Sequence, residues 1–272
     1  MVIENYNSDF DEITKQIRSR VWYHNIEVMP GLYTNGMYDI RAKELFDKVG
    51  FPEDMNGISI LEIGCNDGGF GIELSRRGAK VCAIDIVDPE KANVCYLSKI
   101  MDRNITYRKI SLFELEETKK YDIVIFMGVL YHLQYPFLGL KKINHLCKGS
   151  LLVETLIEPS VLSEDNLYCR FIPGVFSNDP SNWWAPTKEC LFAMLECAGF
   201  DISLKLYPYE FAPARYLCLC NKKNNVNYSF GIDGISESDL MAFTYQKNNI
   251  SNKKDSVVSE NENIISQDTK RD

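Results

Sequence analysis

Residues 58–86, ISILEIGCNDGGFGIELSRRGAKVCAIDI, restrict the fold of this chain more than any other segment. Ile58, Ile60, Leu61 and Ile63 make an apolar run that stops at Gly64, and the turn Cys65-Asn66-Asp67-Gly68-Gly69 follows. Residues 70–77 read as a helix, and a second apolar run closes on Asp85. Strand, tight turn, helix and a strand ending in an acid are the parts of a nucleoside site on the edge of a parallel sheet. Gly64 and Gly68 can take backbone angles closed to other residues, and they let a ligand approach the main chain. The helix start behind them offers unpaired N–H groups to a carboxylate or phosphate. Asp85 lies 17 residues beyond Gly68, close to the separation of roughly 20 at which an acid meets the ribose hydroxyls.

A dinucleotide fingerprint requires glycine two residues after the first, where this chain has Asn66. The order here is acid-x-Gly-x-x-x-Gly (Glu62, Gly64, Gly68), which resembles motif I of the class I S-adenosylmethionine (SAM) methyltransferases. In that family the turn holds the methionine part of SAM and the second-strand acid holds the ribose. The resemblance therefore implies SAM as cofactor, with Glu62, Gly64, Asn66, Gly68 and Asp85 around it. An incidental glycine-rich turn in another α/β protein is the alternative reading of the motif alone.

With 272 residues, 45% hydrophobic and 12% aromatic, the chain is long and apolar enough for one large α/β domain. No apolar run is long enough to span a bilayer, and the start, MVIENYNSDFDE, is acidic rather than signal-like. A cytoplasmic protein is expected. The nine cysteines are scattered, odd in number and without a C-x-x-C pair, so they read as reduced thiols. With three histidines, no metal site is expected. A net charge of −8 weighs against a nucleic-acid substrate, although a local basic patch is compatible with it.

Along the chain, residues 8–19 read as a helix with Phe10, Ile13 and Ile17 on one face. Residues 22–36 carry turn chemistry and read as a loop, followed by a short helix over 38–48. Strand-like runs at 58–63, 80–85, 105–110, 121–127 and 150–155 then alternate with helix-like runs at 70–77, 89–101 and 136–146. A helix at 188–198 and two closing runs, 202–207 and 215–220, suggest a final hairpin. The pattern predicts an α/β, Rossmann-like fold: a seven-stranded, mostly parallel sheet with helices on both faces. The organisation expected is a helical lid or loop over 1–50, a binding domain over 51–221 with an insert at 157–186, and a polar tail over 222–272. That tail has too little apolar surface to order itself, apart from the semi-apolar stretch Leu240–Tyr245.

The second informative segment, Met127-Gly128-Val129-Leu130-Tyr131-His132-Leu133, ends the fourth strand, at the sheet edge where ligands gather. Together with Trp22-Tyr23, Thr34-Asn35-Gly36, the motif I turn, Pro136, Leu152–Leu156 and Ala212-Pro213-Ala214-Arg215, it resembles the tRNA wobble-uridine (5-oxyacetate) carboxymethyltransferases and their relatives. This resemblance implies Ile86, Val87, Leu112 and Phe113 around the nucleoside, and Met127, Tyr131 and Arg215 near the sulfonium end. In the carboxymethyl-transferring members a lysine of the amino-terminal loop helps hold the carboxylate of carboxy-SAM. The comparable loop here, Ile26–Pro30, has none, while Tyr38 and Lys43 match the spacing of an aromatic and a lysine in the family. Ordinary SAM is the expected cofactor.

Methyl transfer from a sulfonium needs alignment and a deprotonated acceptor. His132 can take a proton near neutrality, or its ring can hydrogen-bond a backbone group and hold the loop. Glu154 is either a base or a cap for the next segment, and Tyr131 completes the candidate catalytic group. Trp183 and Trp184 offer an aromatic wall for a flat acceptor, or a seal of the insert onto the sheet. Trp22 and Tyr23 read as a lid or as packing anchors. The expected activity is O-methylation of a small molecule such as a sugar or secondary metabolite. The alternatives are a tRNA wobble-uridine modifier and a SAM-binding partner subunit without catalysis.

Overall fold

The computed structural model describes residues 2–39, 41–116, 118–158, 167–174, 179–206 and 215–223. The tail beyond 223, Leu240–Tyr245, Tyr207, Ala212–Ala214 and parts of the insert lie outside the described residues. Helix α1 (Val2–Arg18) leads into a two-stranded ribbon, β1 (Glu27–Met29) and β2 (Leu32–Tyr33), within the segment expected to be a loop. Helix α2 (Ala42–Lys48) follows, and then the alternating part: β3 (Ser59–Ile63), α3 (Gly69–Arg76), β4 (Lys80–Asp85), α4 (Asn93–Ile100), β5 (Ile105–Lys109), β6 (Tyr121–Met127), α5 (Pro136–Leu146) and β7 (Cys147–Leu156). The insert contributes β8 (Cys169–Phe171) and β9 (Trp184–Pro186), and α6 (Lys188–Cys197), β10 (Phe200–Leu206) and β11 (Arg215–Lys222) complete the chain.

The main sheet has seven strands in the order β10-β11-β7-β6-β3-β4-β5. β3, β4, β5, β6 and β7 run parallel to one another, and β11 runs antiparallel to both β7 and β10. This is the expected seven-stranded, mostly parallel sheet with its closing hairpin. Because β3 reverses the direction of strand-order growth between β4 and β6, its carboxyl end lies at a switch point, where loops separate and leave a crevice.

Side chains alternate across β3. Leu61 and Ile63 pack with Ile84, Phe126, Leu140 and Ile143 under α5, whereas Ile60 packs with Val81, Ile125, Leu74 and Phe46 under α2 and α3. Two fully covered faces explain why the parallel strands read as nearly continuous apolar runs. Truncating Ile60 or Leu61 to alanine costs about 2–5 kcal/mol by loss of transfer energy and cavity formation. A third cluster, Ile17, Trp22, Ile26, Val28, Ile72, Leu97 and Met101, fastens α1 and the ribbon onto α3 and α4.

Helix α4 starts at Asn93, later than expected from Pro89, because Ala92 is extended (ψ 112°) and residues 88–92 form a turn closed on the Asp88 carbonyl. Thr187 caps α6 as its sequence position suggests, its Oγ1 accepting the Cys190 N–H at 3.1 Å.

Candidate functional site

The turn after β3 needs its unusual residues for two separate reasons. Gly64, Asn66 and Gly68 all have positive φ, at 68°, 48° and 78°. Asparagine is among the few other residues that tolerate this region. A Cβ on Gly64 would also overlap a methyl of Val129, and one on Gly68 would come within 2.8 Å of Val94 Cβ. The backbone is tied down by Gly64 N–H and Cys65 N–H donating to the Ile84 carbonyl at 2.8 and 3.2 Å. Asp85 is part of the same construction: its Oδ2 accepts the Asn66 N–H at 2.9 Å and its Oδ1 the Ile86 N–H at 2.7 Å. Each oxygen keeps a further lone pair for a hydroxyl donor.

Glu62 lies beneath the turn, buried, and neither of its carboxylate oxygens meets a partner at hydrogen-bond geometry among the described residues. Burial pushes its carboxyl up to about 8; the Gly71 amide opposes that shift and the Asp85 charge adds to it. Burial thus favours the neutral form of Glu62 beneath the turn. Beside Asp85, Ile86 is 75% exposed and Val87 40% exposed, an apolar surface left open next to the acid. Phe113 is half-buried in a 3₁₀ turn capped reciprocally by Ser111 and Glu114, and Leu112 is buried against the core. Leu112 therefore packs inward, and only its backbone can face a ligand.

At the end of β6, Met127 is buried and the chain turns through Gly128 into a 3₁₀ turn at Leu130–His132. Arg215 starts β11, whose antiparallel register sets it opposite Leu156 and brings it over Glu154 and Tyr131. Its Nη1 donates to both Glu154 oxygens at 3.2 Å, and its Nη2 donates to the Tyr131 hydroxyl at 2.5 Å. Burial raises the Glu154 carboxyl while Arg215 opposes the shift; burial likewise pushes the Tyr131 hydroxyl up to about 12, again against Arg215. The pair is a carboxylate and a guanidinium with no net charge. Glu154 thus has a structural task that neither base nor cap described: it neutralises Arg215.

The His132 ring packs against Tyr131 with ring centroids 4.1 Å apart and the planes inclined at 44°. Its Nδ1 lies 3.1 Å from the Ser181 carbonyl oxygen; with Nδ1–H donating there, Nε2 carries the lone pair. Burial lowers its pKa, with the Ser181 backbone opposing the shift. Both roles considered for this ring are compatible with that placement: Nδ1 holds the insert, and Nε2 carries the lone pair that a proton would meet.

The insert is fixed to the same edge. Trp183 N–H donates to the Tyr131 carbonyl at 2.8 Å, and Trp184 Nε1–H to the Gln134 carbonyl at 3.3 Å. Phe171 of β8 lies 5.0 Å from Trp184 and 6.3 Å from Trp183 between ring centroids. Trp22 is buried in the amino-terminal cluster and donates Nε1–H to the Ile17 carbonyl at 2.8 Å, a placement that suits a packing anchor. Tyr23 is half-buried, packs on Tyr38 at 4.6 Å, and its hydroxyl lies within the electrostatic reach of Arg215 and Glu154. Lys43 is held at the surface of α2 by Asp47 at 3.0 Å and Glu53 at 2.7 Å. The turn, Asp85, Tyr131, Glu154, Arg215 and Tyr23 thus share one side of the sheet. Asp67, which sequence reasoning did not single out, joins them: its carboxylate accepts the backbone N–H groups of Tyr23 and His24. Its position inside the glycine turn was the only available signal.

Among the described residues, no helix is long and apolar enough to cross a membrane. The chain is 31% identical over 156 residues to a tRNA U34 carboxymethyltransferase of Colwellia psychrerythraea, covering 54% of this chain and 46% of that protein. It is 29% identical over 96 residues to a ubiquinone biosynthesis O-methyltransferase of Rickettsia typhi, covering 35% and 39% respectively. The chain spans about half the length of the curated relatives it matches. Among solved structures, the amino-terminal domain of EvdMO1, crystallised with S-adenosylhomocysteine (SAH) and D-fucose, superimposes with a TM-score of 0.58 at 16% identity, covering 79% of this chain and 97% of that one. That likeness establishes the Rossmann-like fold. The model of the family described as "Methyltransferase domain" matches residues 38–205, and the chain belongs to that family.

Proposed function

We propose that the chain is a SAM-dependent methyltransferase acting on a hydroxyl of a small molecule such as a sugar or secondary metabolite. The observation that carries the cofactor half is the joint construction of the turn and Asp85. Two glycines with no room for a Cβ, an Asn66 amide on Asp85 and an exposed Ile86 fit a nucleoside whose ribose meets the acid. When bound, SAM supplies an electrophilic methyl group on a sulfonium. Tyr131, Arg215 and Met127 would surround that end, and Asn66, Gly64 and Gly68 would receive the amino-acid part. The Glu154–Arg215 pair favours ordinary SAM over carboxy-SAM. A guanidinium already neutralised by a carboxylate, and a Lys43 occupied by Asp47 and Glu53, leave a second carboxylate poorly compensated.

The acceptor would enter between Tyr131-His132, Trp183-Trp184 and the amino-terminal segment, residues 1–50 acting as a lid on a domain formed by 51–221. His132 Nε2 would take the proton released by the acceptor hydroxyl as the methyl carbon bonds the oxygen and its bond to the sulfonium sulfur breaks, leaving SAH. Because its pKa lies below the ordinary histidine value, the ring is neutral and ready to accept at pH 7. Alignment contributes the larger share of the acceleration. A tRNA substrate is the second reading, favoured by the relatives named tRNA U34 carboxymethyltransferase. A cytoplasmic location fits either.

Methyl-labelled SAM added with the protein to a nucleic-acid-free small-molecule extract and to bulk tRNA separates these readings. Label in the small-molecule fraction alone is the expected result. Label in tRNA alone overturns the substrate half, and tight SAH binding with transfer to neither fraction would favour a binding subunit.

A further inference from the structure

Asp67 occupies the middle of the cofactor turn, yet the helix behind it makes no use of its side chain. The N-cap of α3 is Gly68, which has no side-chain cap, although capping a helix is the usual local employment of an aspartate at such a place. Asp67 is 3% exposed, and its carboxylate is turned to another part of the chain. Its Oδ2 accepts the Tyr23 N–H at 2.5 Å and the His24 N–H at 2.9 Å, and its Oδ1 accepts Asn93 Nδ2 at 3.0 Å. Asn93, the first residue of α4, also donates Nδ2 to the Val21 carbonyl at 2.8 Å and accepts from Arg20 Nη1 at 3.3 Å.

These bonds fix more than two amides. The Tyr23 carbonyl accepts the Tyr38 N–H at 3.0 Å, the Tyr38 carbonyl accepts the Asn25 N–H at 2.7 Å, and the His24 carbonyl accepts the Thr34 hydroxyl at 2.7 Å. Residues 22–38 therefore behave as one strap whose attachment to the domain includes Asp67. The strap carries Tyr23 and Tyr38, and the Tyr23 hydroxyl lies in the field of Arg215 and Glu154. The backbone of Asp67 belongs to the floor of the cofactor crevice while its side chain holds the segment that carries aromatic groups toward the reacting edge.

We infer that Asp67 is a positioning residue that couples the two: filling the glycine turn and seating the 22–38 strap over the reacting edge are linked through its carboxylate and Asn93. The inference rests on the reading of the turn as a SAM site. The linkage runs both ways, because any contact that holds the turn in its bound shape holds the strap, and a seated strap favours the bound turn by the same factor. An asparagine at 67 would keep an acceptor for the strap amides but would set an NH₂ group against the Asn93 amide or the strap, a donor facing a donor. Asp67→Asn combined with Asn93→Asp restores a donor–acceptor match between these two positions and leaves the negative charge beside Arg20, but it sets a carboxylate oxygen against the Val21 carbonyl that Asn93 Nδ2 meets.

The test is hydrogen–deuterium exchange of peptides covering 21–38 with and without SAH, with affinity from calorimetry and folding checked by thermal unfolding. In the wild type, SAH is expected to slow exchange in the strap as well as in 63–70. In Asp67→Asn the affinity for SAH falls roughly tenfold, about 1.4 kcal/mol, strap exchange no longer responds at saturating SAH, and kcat falls more than KM for SAM rises. The paired substitution recovers part of the response, the bond to the Val21 carbonyl remaining lost. Should Asp67→Asn not fold, Asn93→Ala loosens the same clasp from its other end and is expected to weaken the response. Equal protection of the strap by SAH in wild type and variants overturns the coupling alone. Failure of SAH to bind the wild type overturns the cofactor reading, and the coupling with it.

Discussion

Replacing Gly64 with alanine tests the construction of the turn through two costs that can be separated. At φ 68° an alanine sits in the left-handed region, at a cost of about 1–2 kcal/mol. Its Cβ would also overlap one methyl of Val129 and lie 3.7 Å from the other, and relieving such an overlap costs about 1–3 kcal/mol. Gly64→Ala should therefore lose about 2–5 kcal/mol of stability. Val129→Ala removes the obstructing methyls and by itself should cost about 1 kcal/mol. Combined with Gly64→Ala it should remove the overlap and leave the backbone cost, a favourable coupling of about 1–3 kcal/mol. Urea unfolding of the four proteins measures the cycle, and calorimetry with SAH measures whether the double variant regains binding. A coupling below about 0.5 kcal/mol would show that Val129 does not press on the turn, and the account of why glycine is required there would be wrong.

Two other perturbations have signs fixed by the structure. His24 is buried with Nδ1 unpartnered among the described residues, and burial lowers its pKa to about 4 against the opposing charge of Asp67. The unfolded chain takes up this proton below about pH 6.5, so His24 favours unfolding progressively as pH falls from there toward 4, by on the order of 3 kcal/mol in all. His24→Gln should flatten that part of the stability curve in denaturant titrations, and an unchanged slope would contradict it. Cys190, in the first turn of α6, is brought to about 7 by the Cys169 thiol donating to it, with burial opposing. Its alkylation by iodoacetamide should rise with a midpoint near pH 7, moving toward the ordinary value of about 8.5 in Cys169→Ala; a midpoint unmoved by the substitution would refute the contact.

Much of the sheet was legible because its strands are buried on both faces. Lys80–Asp85 and Tyr121–Met127 match their apolar runs at both ends, and Pro136 marks the first residue of α5. Local chemistry misled where a turn imitated a helix, as in 89–92, and where pairing was distant in sequence. β8 and β9 join Cys169–Phe171 to Trp184–Pro186, and an aromatic strand ending in proline gives no period to read. The glycine turn was legible because glycine spacing is a local constraint. The Glu154–Arg215 pair and the Asp67 clasp were not: each depends on elements brought together by strand order or by packing of α1. Nothing in the spacing of residues 154 and 215, or of 23 and 67, records that they meet.

If Asp85 and the glycine turn form one SAM-type nucleoside site, SAH binding depends on the Asp85 carboxylate. Calorimetry of SAH binding to the wild type and to Asp85→Asn and Asp85→Ala tests it most directly. Binding to the wild type, with a loss of roughly 10²-fold or more in Asp85→Ala for an unreplaced charged hydrogen-bond partner and a smaller loss in Asp85→Asn, is the result the structure predicts. Equal affinity in all three proteins, with their folding intact, would mean that the ribose does not meet Asp85 and that the site has been misplaced.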